Sequence, residues 1–134
     1  MIHEQRNQIH IRVEADTIRA IMATKQTAHR LGFDDYHCQM ISTAVSELVR
    51  NILKYAGSGE VIIVPITQEK RQGIEILVKD RGPGIADLDQ AMQDDFSSSG
   101  TLGLGLPGVK RLMDEFEINS EVNVGTQVVI RQWL

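Results

Sequence analysis

The spacing of the β-rich runs constrains this chain's fold most. Val61–Thr67 and Ile74–Asp80 are separated only by the polar turn Gln68–Gly73, and two more strand-like runs flank Asn123-Val124-Gly125. Consecutive strands joined by turns this short make a mixed or antiparallel sheet, with helices on one face. Ahead of them, Ile9, Ile11 and Val13 alternate with polar residues over Gln8–Val13, which reads as a strand with one buried face. Asp16 is expected to be a helix N-cap. Ile18, Ile21, Met22, Ala28 and Leu31 then recur at helical spacing, and Gly32 suits the C-terminal cap. A second helix is expected from Asp35 to Ala56, closed by Gly57. Pro65 removes a ladder donor and predicts an edge or a bulge in its strand. The glycine-rich stretch from Arg81 to Leu106 offers little regular structure beyond a short helix after Asp87, and Pro107 opens a last helix through Phe116. The order β-α-α-β-β-loop-α-β-β belongs to the α+β class.

Composition narrows the function classes. A chain of 134 residues, 42% hydrophobic, is enough for one domain with one core, expected to span residues 1–134. Its lone Cys38 cannot form an internal bridge, which excludes a disulfide-held exported mini-protein. A net charge of −4 gives no global attraction to phosphate backbones, and 4% aromatics leave few stacking platforms, so nucleic acid is not an expected partner. No stretch approaches the run of about 18 apolar residues that spans a membrane. The segment Met1–Asn7 lacks the apolar core of a signal peptide, so a cytoplasmic domain is expected.

Three local patterns could carry chemistry. With Ala44 at zero and about 100° per residue, Ile41, Ala44, Leu48, Ile52 and Tyr55 fall within an arc of roughly 80°. Glu47, Asn51 and Lys54 lie just beside that core stripe, at about −60°, −20° and −80°. A carboxylate, an amide and an ammonium thus line the edge of a buried face, although the same set alone would suit a solvated flank. Second, Asp80-Arg81-Gly82-Pro83-Gly84 directly follows a strand, where glycines permit positive φ and close approach of a ligand. A carboxylate there could accept from an exocyclic amine, although Gly and Pro also make ordinary tight turns. Third, Gly100-Thr101-Leu102-Gly103-Leu104-Gly105-Leu106 precedes a helix start, an arrangement of backbone N–H groups that can hold anions. Neither the dinucleotide fingerprint nor the P-loop or protein-kinase signatures fit the chain.

Taken together, Glu47-x-x-x-Asn51, Asp80-x-Gly82-x-Gly84 and Gly100-x-x-Gly103-x-Gly105 resemble the N, G1 and G2 boxes of the GHKL (Bergerat-fold) ATP-binding superfamily. Gly125-Thr126 matches its terminal Gly-Thr element, and the resemblance covers about Gln8 to Leu134. It implies a two-layer α/β sandwich, a mixed sheet with helices on one face. It also implies roles: Asn51 as a Mg2+ ligand, Lys54 as a phosphate contact, and Asp80 as the group that recognises the adenine amine. Gly84 and Thr126 would help Asp80 directly or through water, and Gly82 and Ile85 would also belong to the nucleotide site. Gly100, Thr101, Leu102, Gly103, Leu104, Gly105 and Leu106 would close over the β- and γ-phosphates as part of a lid.

Glu47 refines the expectation. A neutral imidazole is already a nucleophile, whereas a serine hydroxyl or water benefits from a positioned base one helical turn from the metal ligand. Ile41–Leu48, Phe96–Gly100 and Leu106–Phe116 are similar to the anti-sigma-factor serine kinases, and within them to the switch kinases of the bacterial stressosome. That likeness implies ATP-dependent phosphorylation of STAS-domain scaffold proteins (RsbS/RsbR type), followed by activation of a PP2C-type phosphatase (RsbU type). The alternatives it leaves are an anti-sigma factor kinase of the RsbW/SpoIIAB type and a nucleotide-gated binding switch with little catalysis. The four histidines, His3, His10, His29 and His37, are scattered and expected to be structural or exposed. Arg50, Arg81 and Ser97–Ser99 receive no role.

Overall fold

Five strands form one sheet in the computed structural model, which describes residues 6–93 and 105–134. They are β1 (Asn7–Ile11), β2 (Gly59–Gln68), β3 (Arg71–Asp80), β4 (Glu115–Glu121) and β5 (Gly125–Trp133), in the spatial order β1-β2-β3-β5-β4. Every neighbouring pair of described strands is antiparallel. Of the two arrangements the short turns allow, the described sheet is therefore the antiparallel one rather than a mixed one. Pairing of β2 with β3 runs to Gln68↔Arg71, so the turn is tighter than Gln68–Gly73. Only Glu69 and Lys70 remain in it, at φ 51° and 71°, the hand that matches the twist of flanking strands. β2 is an inner strand, but β1 accompanies it only as far as Asn7↔Ile63. Pro65 lies beyond that point, where the described ladder has a partner on the β3 side alone, and the lost donor is tolerated.

Among the described residues the α-helices are α1 (Ala15–Leu31), α2 (Asp35–Asn51), α3 (Leu88–Ala91) and α4 (Leu106–Leu112). α2 begins where the Asp34 carboxylate accepts from the His37 N–H at 2.8 Å, and α1 ends at Gly32, φ 107°. α1 and α2 cover one face of the sheet. Ile11, Val61, Ile63, Ile76, Val78 and Ile130 meet Ala20, Ile41, Ala44 and Leu48 in one core cluster. The chain is thus the expected two-layer α/β sandwich. Ile62 and Trp133 are buried outside that cluster, on the other face. There Arg131 binds Glu75, Glu115 and Glu117 at 2.8, 2.9 and 2.8 Å. Cys38 is buried, and burial pushes its thiol above the usual range.

Three further expectations need correction. α1 buries Ala20, Thr24, Thr27 and Ala28, whereas Ile18 and Met22 are 62% and 55% exposed. Small side chains let α1 lie close to its neighbours, and Thr24 stays satisfied by donating to the Ala20 carbonyl at 2.8 Å. Asp16 is inside α1 rather than at its N-cap. Its carboxylate reaches back to the Arg12 and Val13 N–H groups at 2.9 and 3.1 Å, which ends β1 at Ile11 rather than Val13. The last helix stops at Leu112, not Phe116. Asp114 donates its N–H to Gln132 Oε1 and accepts from the Trp133 N–H, and Phe116 pairs with Ile130 in the sheet.

Candidate active site

The second helix does not end as a regular α-helix. After Asn51 the chain widens into a π-helical turn, Ile52–Ala56, in which the Gly57 N–H reaches the Ile52 carbonyl at 2.7 Å. Turns of this kind recur at functional sites because the extra residue re-aims the side chains around it. Here the turn brings Ala56 so close to Gly82 that a β-carbon on Gly82 would stand 2.5 Å from the Ala56 β-carbon. Glycine is therefore a packing requirement at that position.

At the end of β3, Asp80 is held by backbone from two sides. Its Oδ1 accepts from the Gly82 N–H at 2.8 Å and from the Thr126 N–H at 3.3 Å. The loop that follows is clamped by the β4–β5 hairpin. Asn123 donates to the Pro83 carbonyl at 2.8 Å, and Ile85 donates to the Ser120 hydroxyl at 2.7 Å. Ser120 shares a 2.8 Å hydrogen bond with Thr126. Gly84, at φ 77°, has no room for a β-carbon because the Glu121 carbonyl occupies the space.

These elements enclose a cavity of about 310 Å³, within the usual range for small-molecule sites. Leu48, Val78, Leu106 and Val128 supply apolar walls, and Asn51, Asp80 and Thr126 supply polar groups. Asn51 Oδ1 is buried there. The Tyr55 hydroxyl is also buried, with no hydrogen-bond partner among the described residues, an arrangement that costs free energy unless something else satisfies it. The sequence placed Tyr55 only on the core stripe. Ser120 was missed altogether, since one serine in an alternating strand gives no signal.

Glu47 lies outside the cavity lining, where α2 faces the start of α4. Its Oε1 accepts from Arg50 Nη1 at 3.0 Å. Its Oε2 lies against Gly105, where a β-carbon would stand 2.6 Å away. Lys54 is exposed, 5.3 Å from the centroid of the Tyr55 ring, and lines a separate groove with Arg50 beside the start of α1. The structure thus gathers Asn51, Asp80, Gly84, Ile85, Leu106 and Thr126 around one cavity. Gly82 and Gly105 support its edge, and Lys54 is turned away from it. Gly100, Thr101, Leu102, Gly103 and Leu104, like Ser97–Ser99, lie outside the described residues. His10, His29 and His37 all sit beside carboxylates on the surface, facing Glu60, Asp35 and Asp34.

Among the described residues, no three or more His, Cys, Asp or Glu side chains form a metal-binding group. No helix there is long and apolar enough to cross a membrane.

Comparison with known proteins agrees with this geometry. The family described as "Histidine kinase-like ATPase domain" matches residues 11–132. The serine/threonine-protein kinase RsbT of Bacillus subtilis strain 168 is 44% identical over 126 residues, covering 94% of this chain and 95% of that protein. An anti-sigma F factor of Clostridium kluyveri is 32% identical over 96 residues, covering 69% of this chain and 68% of its own length. Among solved structures, the SiaB–SiaC complex of Pseudomonas aeruginosa contains a chain with the same fold. It matches at a TM-score of 0.53 and 9% identity, over 96% of this chain and 89% of that one. Glu47, Asn51, Asp80, Gly82, Gly84, Gly105 and Thr126 all lie within the matched span, and the chain belongs to the histidine kinase-like ATPase domain family, within the GHKL superfamily its glycine boxes resemble.

Proposed function

We propose that this chain is an ATP-dependent serine/threonine protein kinase that acts in the cytoplasm on STAS-domain partners of the RsbS/RsbR type. One observation carries the reading. A carboxylate fixed by two backbone N–H groups stands at the rim of an apolar cavity that also takes in an amide, with a second carboxylate just outside. Apolar walls suit a purine ring, and Asp80 has one oxygen committed to backbone and a second left to accept from an exocyclic amine. The near-complete overlap with RsbT supports kinase activity.

The residues present fit Mg2+ as well. A neutral amide oxygen such as Asn51 Oδ1 is a hard ligand that leaves most positions to phosphates and water, the usual way this ion is shared with a nucleotide. When bound, Mg2+ supplies charge neutralisation across the phosphate oxygens. The chain's own contribution is positional. Asp80, Thr126 and Gly84 would seat the base, the Tyr55 hydroxyl would meet the nucleotide, and Glu47 would receive the acceptor's proton. As the acceptor oxygen bonds to the γ-phosphorus, the bond from that phosphorus to its bridging oxygen breaks, and ADP leaves with the electron pair. Because that transition state is loose, orientation of the hydroxyl matters more than the strength of the base. Activation of a PP2C-type phosphatase of the RsbU type would follow release from the STAS partner.

Titration calorimetry of ATP with and without Mg2+ tests the site. Mg2+ should tighten binding to the wild-type chain, and Asn51→Ala should lose that gain. An equal gain in both proteins removes Asn51 from the metal site.

A further inference from the structure

The helix sequence around Glu47 leaves one residue free to steer its carboxylate. On a helix the near neighbours of position 47 are three and four residues away, namely Thr43, Ala44, Arg50 and Asn51. Ala44 is fully buried in the core. Thr43 accepts a hydrogen bond from Gln39 at 3.3 Å. Asn51 lines the cavity. Arg50 is the one that brings a charge to Glu47, and it does so at 3.0 Å from Oε1.

On its opposite side the same carboxylate stands against Gly105, just before α4. Gly105, at φ 68°, presents bare Cα surface to Glu47, so close that a β-carbon would stand 2.6 Å from Oε2 and 3.1 Å from Cδ. Glu47 therefore stands between the Arg50 guanidinium, which engages Oε1, and the bare Cα of Gly105 beside Oε2. The Glu47 side chain is 31% exposed, so an approaching hydroxyl can reach it, while Arg50 at 64% lies on the solvent side of the pair.

We infer that Arg50 is a positioning residue for the acceptor step: by holding Oε1 it keeps Oε2 turned to the place where the acceptor hydroxyl arrives. This rests on the reading of Glu47 as the group that receives the acceptor's proton. An ordinary exposed i, i+3 ion pair contributes almost nothing. A pair that sets the direction of a reacting group acts on rate, since misplacement by about 1 Å can cost about a hundredfold.

The test measures transfer from γ-labelled ATP to a purified STAS-domain protein of the RsbS type, with hydrolysis by water followed in the same reactions. Wild type, Arg50→Gln, Arg50→Lys, Glu47→Gln and the double variant Glu47→Gln/Arg50→Gln are compared. Arg50→Gln should lower kcat by about tenfold to a hundredfold. Its acceptor KM and its affinity for Mg2+-ATP should stay within about twofold, the latter showing that the site is folded. Arg50→Lys, which keeps a charge but not the planar fork, should recover part of the loss. In the Glu47→Gln background the Arg50 change should add nothing, because a residue acting through another is silent once that other is gone. Additive losses, or a loss confined to KM, overturn the inference and make Arg50 a docking residue. A wild-type rate in Arg50→Gln with a slow Glu47→Gln overturns the inference alone. A wild-type rate in Glu47→Gln overturns the assignment of Glu47 beneath it, as does a wild-type chain that neither labels nor hydrolyses.

Discussion

Replacing Asp80 by Asn separates support from recognition. In the native site Oδ1 accepts from the Gly82 and Thr126 N–H groups at 2.8 and 3.3 Å. An asparagine that leaves its carbonyl oxygen in that position keeps both bonds, each weakened from charge-assisted to neutral, at a stability cost of about 1–2 kcal/mol in total. Its Nδ2 must then replace Oδ2 toward the cavity, where a donor would confront the donor N–H of an adenine amine. Loss of a charged hydrogen bond and of satisfaction for the opposing group together cost about 3–4 kcal/mol, or roughly 100- to 1,000-fold in ATP affinity. Guanine, whose oxygen at that position accepts, should be discriminated against less by the variant than by the wild type. Calorimetric titrations with ATP and GTP, paired with urea unfolding, separate the two effects. Asp80→Asn binding ATP within about threefold of wild type, with unchanged preference over GTP, would refute Asp80 as the base-recognition group.

Other substitutions probe the frame around it. Gly84→Ala must hold a β-carbon at φ 77° and push it into the Glu121 carbonyl, so a loss of about 2–4 kcal/mol is expected in urea unfolding, and a loss under about 0.5 kcal/mol contradicts the packing described. Tyr55→Phe removes a buried hydroxyl that has no partner among the described residues. Stability should hold or rise by up to about 1 kcal/mol while ATP affinity falls by about threefold to tenfold, and unchanged affinity places the hydroxyl away from the nucleotide. The Trp133 indole N–H, and after it Arg131, hold the Glu115 carboxyl below its ordinary value. The native state therefore binds fewer protons than the unfolded chain as acid is added. That stability is complete above the carboxyl's unfolded pKa and is lost as the pH falls through the lower native one. Urea midpoints should drop below about pH 4.5, more shallowly in Glu115→Gln, and identical slopes would contradict the assignment.

What the sequence made legible was mostly local and periodic. The stripe Ile41, Ala44, Leu48 and Ile52 is buried as its spacing implies, but the buried face of α2 is wider and includes Val45 and Val49. A helix packed against both a sheet and a second helix buries two flanks, and periodicity alone does not say how many neighbours a helix has. The same gap misplaced part of the stripe on α1, where Ala28 is buried and Leu31 packs against the core but Ile18 and Met22 are exposed. With Ala20 at zero, Thr24 and Thr27 fall at about 40° and −20°, while Ile18 and Met22 fall at about 160° and −160°. Close helix packing selected small residues there, and Ile18 and Met22 were left outside. The glycine boxes could be read because close approach leaves few alternatives at Gly82, Gly84 and Gly105. Lys54 and Tyr55 could not be apportioned between groove and cavity, because an α-helical wheel has no place for the π turn that begins at Ile52. The role of Arg50 was invisible for a related reason, since an i, i+3 pair acquires meaning only once the loop glycine on the other side of Glu47 is seen.

The proposed activity is transfer of a phosphoryl group to a protein hydroxyl. The most direct test incubates the full chain with γ-labelled ATP, Mg2+ and an RsbS-type STAS protein, then hydrolyses the partner and identifies the labelled amino acid. Label on serine or threonine, lost in Asn51→Ala and reduced in Glu47→Gln, is the result this account predicts. ATP bound at the site with no label on the partner would contradict it and leave a nucleotide-gated binding switch in its place.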